Sequence, residues 1–348
     1  MTSPYTTLTI QEIREEAPDT KSFVLAAPPG QEIQYQSGQY LTLVHQQHGQ
    51  EIRRSYSISS APAWHEPLTI TVKRVDNGLL SRRLIDQARV GDPLLTLGAA
   101  GFFTLPEDIG RYRQLVLLAA GSGITPIFSL LKTALRDYPH LRVLLVYSNR
   151  TPATTIFRAA LAQLAGQYAA QLHLELLYSN DPNLARAHLH KELLETLVAR
   201  YAPTPPAQTL AYLCGPLNYM RMGTYGLHEA GLPLSHIRRE LFNTGAATVP
   251  HSIPPDTDAH PVTIRLRGQE HRVLVQYPQT ILQAARRQGL VLPYSCEAGQ
   301  CGNCAARCTQ GTIWMATNEV LTERETTRGL VLTCTGYPVG GPATLEIT

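Results

Sequence analysis

The chain has 348 residues, a formal net charge of +3 and 43% hydrophobic residues. At roughly 100–200 residues per domain this length implies two or three domains, each able to bury a core, and the near-neutral charge leaves no footprint for nucleic acid. No apolar run is long enough for a bilayer, and the N-terminal MTSPYTTLTIQEIREE lacks the basic and apolar regions of a signal peptide. A cytoplasmic, reducing setting without membrane attachment is therefore expected, in which the six cysteines act as ligands or reactive groups rather than bridges.

Residues 1–108 read as a first domain of short strands punctuated by Gly and Pro. YTTLTI, SFVLAA, YLTLVH and LTITVKRV alternate or are rich in β-branched residues, and one helix, LLSRRLIDQAR, interrupts them. The pattern suits a small antiparallel β-barrel. The stretch RRSYSISS, at an expected strand end, carries Arg54, Tyr56 and Ser57. Alternation along a strand puts Arg54 and Tyr56 on one face. A flavin needs a cation for its phosphate, a face against its ring and a donor near its N5, and these three residues could supply them in that order. A polar strand with one half-buried tyrosine is the competing reading. In DNGLLSRRL, Gly78 and Ser81 stand at the mouth of the expected helix, where open N–H groups bind phosphate. Taken alone, an ordinary turn opening a surface helix is the commoner arrangement.

Residues 109–242 change character. QLVLLAA, RVLLVYS, LHLELLYS and TLAYLCG are continuous apolar runs suited to strands buried on both faces. They alternate with the helical stretches PIFSLLKTAL, TTIFRAALAQLAGQ, LHKELLETLVAR and LNYMRMGTYGLHEAG, which implies a parallel sheet with crossover helices. In VLLAAGSGITPIFSLL, Gly121 and Gly123 are expected to form the turn and leave room for a diphosphate, with Thr125 as N-cap and Pro126 as first helical residue. Pro126 replaces the third glycine of a dinucleotide fingerprint. The match is weak alone and becomes a nicotinamide-nucleotide signal through its place on the first strand of an α/β unit. The second strand ends in VYSNRT without an acid to take a ribose 2′-hydroxyl. Arg150, with Ser148 and Asn149 and assistance from Arg158, could instead receive a 2′-phosphate, favouring NADPH with tolerance for NADH. An exposed loop arginine is the alternative. Cys214, in YLCGP, ends a later strand at the edge where ligands bind, although a buried cysteine before a turn is the commoner state.

Residues 243–259 have a linker composition, and 260–348 form a small α+β unit with strands VTIRLRG and HRVLVQY and a helix TILQAARRQG. Its YSCEAGQCGNC carries Cys296, Cys301 and Cys304 in C-x4-C-x2-C spacing, with Cys334 downstream, the plant-type 2Fe–2S ligand pattern. Gly299 and Gly302 let backbone N–H groups turn toward the negatively charged cluster. The rival is a non-redox module holding zinc, but zinc sites usually pair two short knuckles and only one is present. Cys308 is expected as a small core residue on the strand leaving the loop. Arginines such as Arg265, Arg272, Arg286 and Arg307 offset the carboxylates of this unit, so an acceptor recruited through a strongly acidic face is not expected.

In this order the motifs resemble the ferredoxin–NADP+ reductase superfamily with a C-terminal plant-type ferredoxin. More narrowly, YSNRTPATTIFRAAL, RRELFNTG and ARRQGLVLPYSCEAGQCGNC resemble the reductase components that serve phenylacetyl-CoA epoxidase and its relatives. The resemblance spans essentially the whole chain. It implies a multidomain fold: an antiparallel β-barrel flavin domain, an α/β parallel-sheet nucleotide domain and a β-grasp-like α+β ferredoxin domain. It implies FAD held by Arg54, Tyr56 and Ser57, with Gly78, Leu79, Leu80 and Ser81 at its pyrophosphate. It places Gly121, Gly123, Thr125 and Pro126 at the NAD(P)H site and Cys214 near the nicotinamide. Glu240 and Phe242 would lie near the flavin, with Cys214, Ser57 and Glu240 as the catalytic group. From residues alone, a solvated strand-end carboxylate is the competing reading of Glu240. The expected activity is electron transfer from NAD(P)H through FAD and the cluster to an oxygenase or epoxidase protein. The same electron path serving a hybrid-cluster or haem protein is the alternative.

Overall fold

The computed structural model describes residues 5–47, 50–242 and 253–347. They fall into two compact units, Met1–Phe242 and Asn243–Thr348. Most of the expected linker, residues 243–252, lies outside the described residues.

The first unit begins with β1 (Thr6–Ala17), β2 (Thr20–Ala26), β3 (Tyr40–Gln47), β4 (Gln50–Ser57), β5 (Thr69–Lys73), helix α1 (Leu79–Gln87) and β6 (Pro93–Ala100). The six strands form one antiparallel sheet in the order β4-β3-β6-β1-β2-β5. Its two edges meet where Ile58 bridges Ile70 and the Ser59 N–H donates to the Thr69 carbonyl at 2.8 Å. The sheet therefore curls on itself around Leu8, Ile10, Phe23, Leu41, Ile58 and Ile70, all fully buried. Burying each such side chain is worth about 1.5–3 kcal/mol.

The same unit continues with β7 (Gln114–Ala120), α2 (Ile124–Asp137), β8 (Arg142–Asn149), α3 (Arg158–Gln167), β9 (Leu172–Tyr178), α4 (Leu184–Ala187), α5 (Lys191–Tyr201), β10 (Thr209–Cys214), α6 (Leu217–Glu229) and β11 (Ile237–Glu240). All neighbouring strands run parallel, in the order β11-β10-β7-β8-β9. Alternate residues of β7 feed two cores, Leu115 and Leu117 on one face and Val116 and Leu118 on the other. Burial on both faces is the reason for the unbroken apolar run. The chain leaves β7 toward β8 on one side and returns through β10 on the other, so the crevice of this sheet opens between the ends of β7 and β10.

Helix α2 also binds the barrel. Lys132, 5% exposed, pairs with Glu66, and the Trp64 indole N–H donates to the Lys132 carbonyl at 2.8 Å. Ser129 donates to the Ser60 carbonyl at 2.5 Å, and the Ser37 and Thr133 hydroxyls bond at 2.7 Å. These contacts make the barrel and the parallel sheet a single unit.

The second unit contains β12 (His260–Leu266), β13 (Gln269–Val275), α7 (Ile281–Arg287), β14 (Ala305–Gln310), β15 (Ile313–Met315), α8 (Glu323–Thr327), β16 (Leu330–Leu332), β17 (Gly336–Pro338) and β18 (Ala343–Ile347). Five of its strands make a mixed sheet, β13-β12-β18-β14-β16, in which only β12 and β18 are parallel; β15 and β17 pair separately. Thr280 opens α7 with a reciprocal capping box to Gln283, and Ile281 and Leu282 drop into the core. Asp256, inside the segment expected as linker, accepts from the Gly340 N–H at 2.7 Å and bonds His260 at 2.6 Å, tying that stretch to this unit. No helix among the described residues is long and apolar enough to cross a membrane.

Candidate functional site

Three strand ends converge in the first unit. β4 ends at Ser57, β10 at Cys214 and β11 at Glu240. The parallel register sets Cys214 beside Glu240, and the Ser57 hydroxyl donates to Glu240 Oε2 at 3.3 Å across 183 residues of sequence. Burial pushes the Glu240 carboxyl up to about 8, with the Ser57 hydrogen bond opposing the shift. Glu240 is partly exposed, and its setting favours the protonated form over the solvated carboxylate that its strand-end position suggested. Cys214 is 0% exposed; burial pushes its thiol well up, and the neighbouring Glu240 adds to the effect. It is a neutral thiol, not a thiolate.

The Gly-rich turn abuts this group. A Cβ at Gly123 would stand 2.1 Å from the Cys214 carbonyl oxygen and 2.8 Å from the Gly215 nitrogen. The room that Gly123 provides is taken by the backbone of β10 rather than left for a diphosphate. Gly121, at φ +55° with open space around it, keeps that room. Thr125 is not the N-cap. A tight turn over Gly121–Gly123 runs straight into α2, so Thr125 and Pro126 both lie within the helix's first turn. The Thr125 hydroxyl donates to the Ser122 carbonyl at 2.9 Å. Gly123→Ala forces the turn off β10 and is expected to cost roughly 1–3 kcal/mol or more by overpacking. Urea unfolding of the variant checks this, and an unchanged midpoint refutes it.

Along β4, Arg54 is exposed and its Nη1 donates to the Arg53 carbonyl at 2.7 Å. Tyr56 is partly exposed as a residue, but its phenol is held well above the usual range by burial, with Arg54 opposing. Arg53, on the other face, is buried against Glu51, which also accepts from the Tyr5 hydroxyl at 2.6 Å. At the start of α1, Ser81 is turned inward. Its hydroxyl accepts from the Val75 N–H at 3.2 Å and donates to the Gly78 carbonyl at 3.3 Å, in space that a side chain at Gly78 would fill. Leu80 enters the barrel core, whereas Leu79 is exposed. Arg150 and Arg158 are exposed, at the end of β8 and the start of α3, and Phe242 is 42% exposed.

In the second unit four thiols come together. Cys296 lies within bonding reach of Cys301 and Cys334, and Cys304 within reach of Cys334. The Cys301 and Cys334 thiols, with the Ala298 and Gln300 N–H groups, hold Cys296 far below the ordinary thiol range. The N–H groups of Ala298 and Gln300 point at the Cys296 sulfur at 3.4 and 3.5 Å. This inward turn requires left-handed backbone at Glu297 (φ +53°) and Gly299 (φ +73°). Gly299 also rests on Thr317, whose carbonyl oxygen would lie 2.6 Å from an added Cβ. Glu297 is tied by Arg286 Nη1 at 3.1 and 3.2 Å, a contact that no spacing rule indicates. Four convergent sulfurs ringed by N–H donors fit a 2Fe–2S cluster. Cys308 stands outside the four and is not a core residue. It is half-buried on β14, beside the register shift between Cys308 and Gln310 in the ladder to β18, and its thiol is directed at the Gln310 carbonyl at 3.3 Å.

Three stretches match family models: residues 7–105 an oxidoreductase FAD-binding domain, 117–224 an oxidoreductase NAD-binding domain and 264–339 a 2Fe-2S iron-sulfur cluster binding domain. The chain is 32% identical over 338 residues to a component of 1,2-phenylacetyl-CoA epoxidase from Escherichia coli (strain K12), covering 95% of this chain and 94% of that protein. It is also 32% identical over 353 residues to the ferredoxin reductase component of 3-ketosteroid-9-alpha-monooxygenase of Mycolicibacterium smegmatis (strain ATCC 700084 / mc(2)155), covering 98% and 96%. The solved structure of phthalate dioxygenase reductase shares the fold, with a TM-score of 0.60 at 23% identity over 99% of this chain and 100% of that one.

Proposed function

Since the chain belongs to the family of FAD- and 2Fe–2S-dependent reductase components of oxygenase systems, we propose that it carries electrons from NADPH to an oxygenase, with phenylacetyl-CoA epoxidase as the first candidate acceptor. The observation that carries this reading is that one chain holds both the Ser57–Cys214–Glu240 junction and the four-thiol site. A bound flavin would supply the conversion between the nicotinamide's two-electron chemistry and the cluster's one-electron chemistry.

The residues have distinct tasks in this reading. Arg54 would hold the flavin phosphate and Tyr56 would pack against the ring. The N–H groups of Leu79, Leu80 and Ser81 at the start of α1 face the pyrophosphate, with Gly78 and the inward Ser81 hydroxyl shaping the turn that presents them. Gly121, Thr125 and Pro126 line the nucleotide site, and Gly123 fixes it against β10. Cys214, fully buried at the end of β10, would help orient the nicotinamide, and Ser57 would donate near the flavin's N5. Glu240 holds a proton at its carboxyl, so no negative charge sits beside a ring that must take up electrons. Phe242 covers the ring. Cys296, Cys301, Cys304 and Cys334 hold the cluster. The domain limits that go with these roles are 1–108, 109–242 and 260–348, joined by the linker 243–259. The setting is the cytoplasm, where thiols stay reduced.

The preference for NADPH rests on the end of β8, where Ser148, Asn149 and the exposed Arg150 follow one another and no acid is present. Hydrogen bonds to a charged group are worth about 1.5–3 kcal/mol, so Arg150→Ala should raise KM for NADPH roughly tenfold or more and leave NADH nearly untouched. Initial rates with both nucleotides check this; a wild-type kcat/KM that is higher for NADH overturns it. The acceptor is tested by anaerobic reconstitution with purified oxygenase components, oxygen being admitted to start turnover. Hydroxylated or epoxidised product formed in proportion to NADPH consumed supports the assignment, and nucleotide consumption without product from any oxygenase sinks it.

A further inference from the structure

Between Cys301 and Cys304 the chain has only Gly302 and Asn303. Gly302, at φ +75°, turns the backbone so that the Asn303 N–H donates to the Cys301 sulfur. Asn303 is thereby pinned against one ligand and covalently joined to the next. Its side-chain amide is the unusual part. Asn303 Nδ2 is buried and meets no hydrogen-bond acceptor among the described residues. A buried donor left in that state costs about 1–3 kcal/mol, and such groups in native proteins usually mark a partner the polypeptide does not itself provide. No cysteine sulfur accepts from it either, but Asn303 stands between two of the four clustered cysteines, and a 2Fe–2S cluster would bring sulfides with net negative charge as the acceptors that the polypeptide lacks.

We propose that the Asn303 side-chain amide donates a hydrogen bond to a sulfur of the cluster and thereby raises the cluster's reduction potential. The inference rests on the 2Fe–2S reading of the four-thiol site. The sign follows from charge. Reduction adds one electron to an already negative cluster, so a donor aimed at its sulfur stabilises the reduced state more than the oxidised one. The amide carries no titratable proton, so its contribution does not vary with pH near neutrality. Asn303 is then a positioning donor that sets how readily the cluster takes an electron, in addition to the backbone donors at Ala298 and Gln300.

The test is an EPR-monitored redox titration of the full-length holoprotein and of its Asn303→Ala, Asn303→Ser and Asn303→Asp variants, with iron and flavin content measured for each. At fixed solution potential, Asn303→Ala is expected to shift the reduced-to-oxidised ratio about tenfold toward oxidised, a midpoint lower by about 59 mV for a one-electron couple. Ser, which keeps a shorter donor, should fall between Ala and the native chain. Asp, nearly isosteric but negative, should fall below Ala. Iron and flavin contents should match the native protein. A change of less than twofold in the ratio for both Ala and Asp, with full iron content, overturns the proposal and leaves the 2Fe–2S assignment standing. Native protein lacking iron and the reduced-state signal instead removes the assignment on which the proposal rests. A merely structural role would change the rate of cluster loss without moving the potential, and resonance Raman separates the two. Fe–S stretching bands that shift in D2O for the native chain should lose part of that shift in Asn303→Ala.

Discussion

A Cys334→Ala chain is expected to keep its FAD and to be reduced by NADPH at close to the native rate, yet to show no 2Fe–2S EPR signal and to transfer electrons to its oxygenase at roughly a hundredth of the native rate or less. Three of the four sulfurs come from one short loop, but Cys334 arrives from the turn after β16 and lies within bonding reach of both Cys296 and Cys304. Removing it opens the set from the side that the loop itself cannot close. The residues proposed to hold the flavin and nucleotide belong to the other compact unit, so their assembly does not depend on this sulfur. Cys308→Ser is the control. Its thiol bonds the Gln310 carbonyl and stands apart from the four, so iron content and EPR signal should match the native protein. Iron analysis, EPR and stopped-flow flavin reduction on the two variants decide the matter. Cluster loss in Cys308→Ser, or an intact cluster in Cys334→Ala, refutes the ligand assignment.

At the flavin, Cys214→Ala is expected to slow reduction by NAD(P)H about a hundredfold, because reacting atoms must be held roughly 3–3.5 Å apart and small misplacements are costly. Glu240→Gln should slow it less, by about tenfold, since the amide keeps the shape and neutrality of the protonated acid. The pH dependence separates the two roles. With a carboxyl at about 8, the native rate should fall as pH rises through that value and charge appears beside the ring; the Gln variant should lose the inflection. Stability carries the same signature. The folded carboxyl retains its proton above the ordinary 4.5, where the unfolded chain has released it. Glu240 therefore favours the folded, flavin-free chain at low pH, and that stability is lost as pH rises from about 4.5 to about 8. Urea titrations of native and Glu240→Gln protein across this window read the difference. A native flavin-reduction rate in Cys214→Ala would return that residue to core packing alone.

The chemistry of the cluster is legible in the sequence because its determinants are local. Three cysteines and two glycines within residues 296–304 define the ligand loop, so three of the four sulfurs are legible from one short stretch, while Cys334 and the contacts of the loop to Arg286 and Thr317 come from elsewhere in the unit. The parallel sheet is legible for a related reason: strands buried on both faces, such as β7 and β8, must be apolar at nearly every position, and that leaves an unbroken run. Strands held mainly by their neighbours' backbone leave weaker traces. β4 is largely polar, and β11, Ile237–Arg238–Arg239–Glu240, has one apolar residue; its place at the sheet edge comes from the ladder to β10. The start of α2 misleads a local reading because Thr125 and Pro126 carry ordinary N-terminal signals, while the contact that closes the turn, Gly123 against the Cys214 carbonyl, joins residues 91 positions apart. The attachment of α2 to the barrel through Lys132 and Glu66 likewise has no local signature. Most consequential is Glu240. Its neighbours in sequence leave a solvated carboxylate open; only the convergence of β4, β10 and β11 partly buries it beside Ser57 and Cys214, and that desolvation is what pushes its carboxyl up.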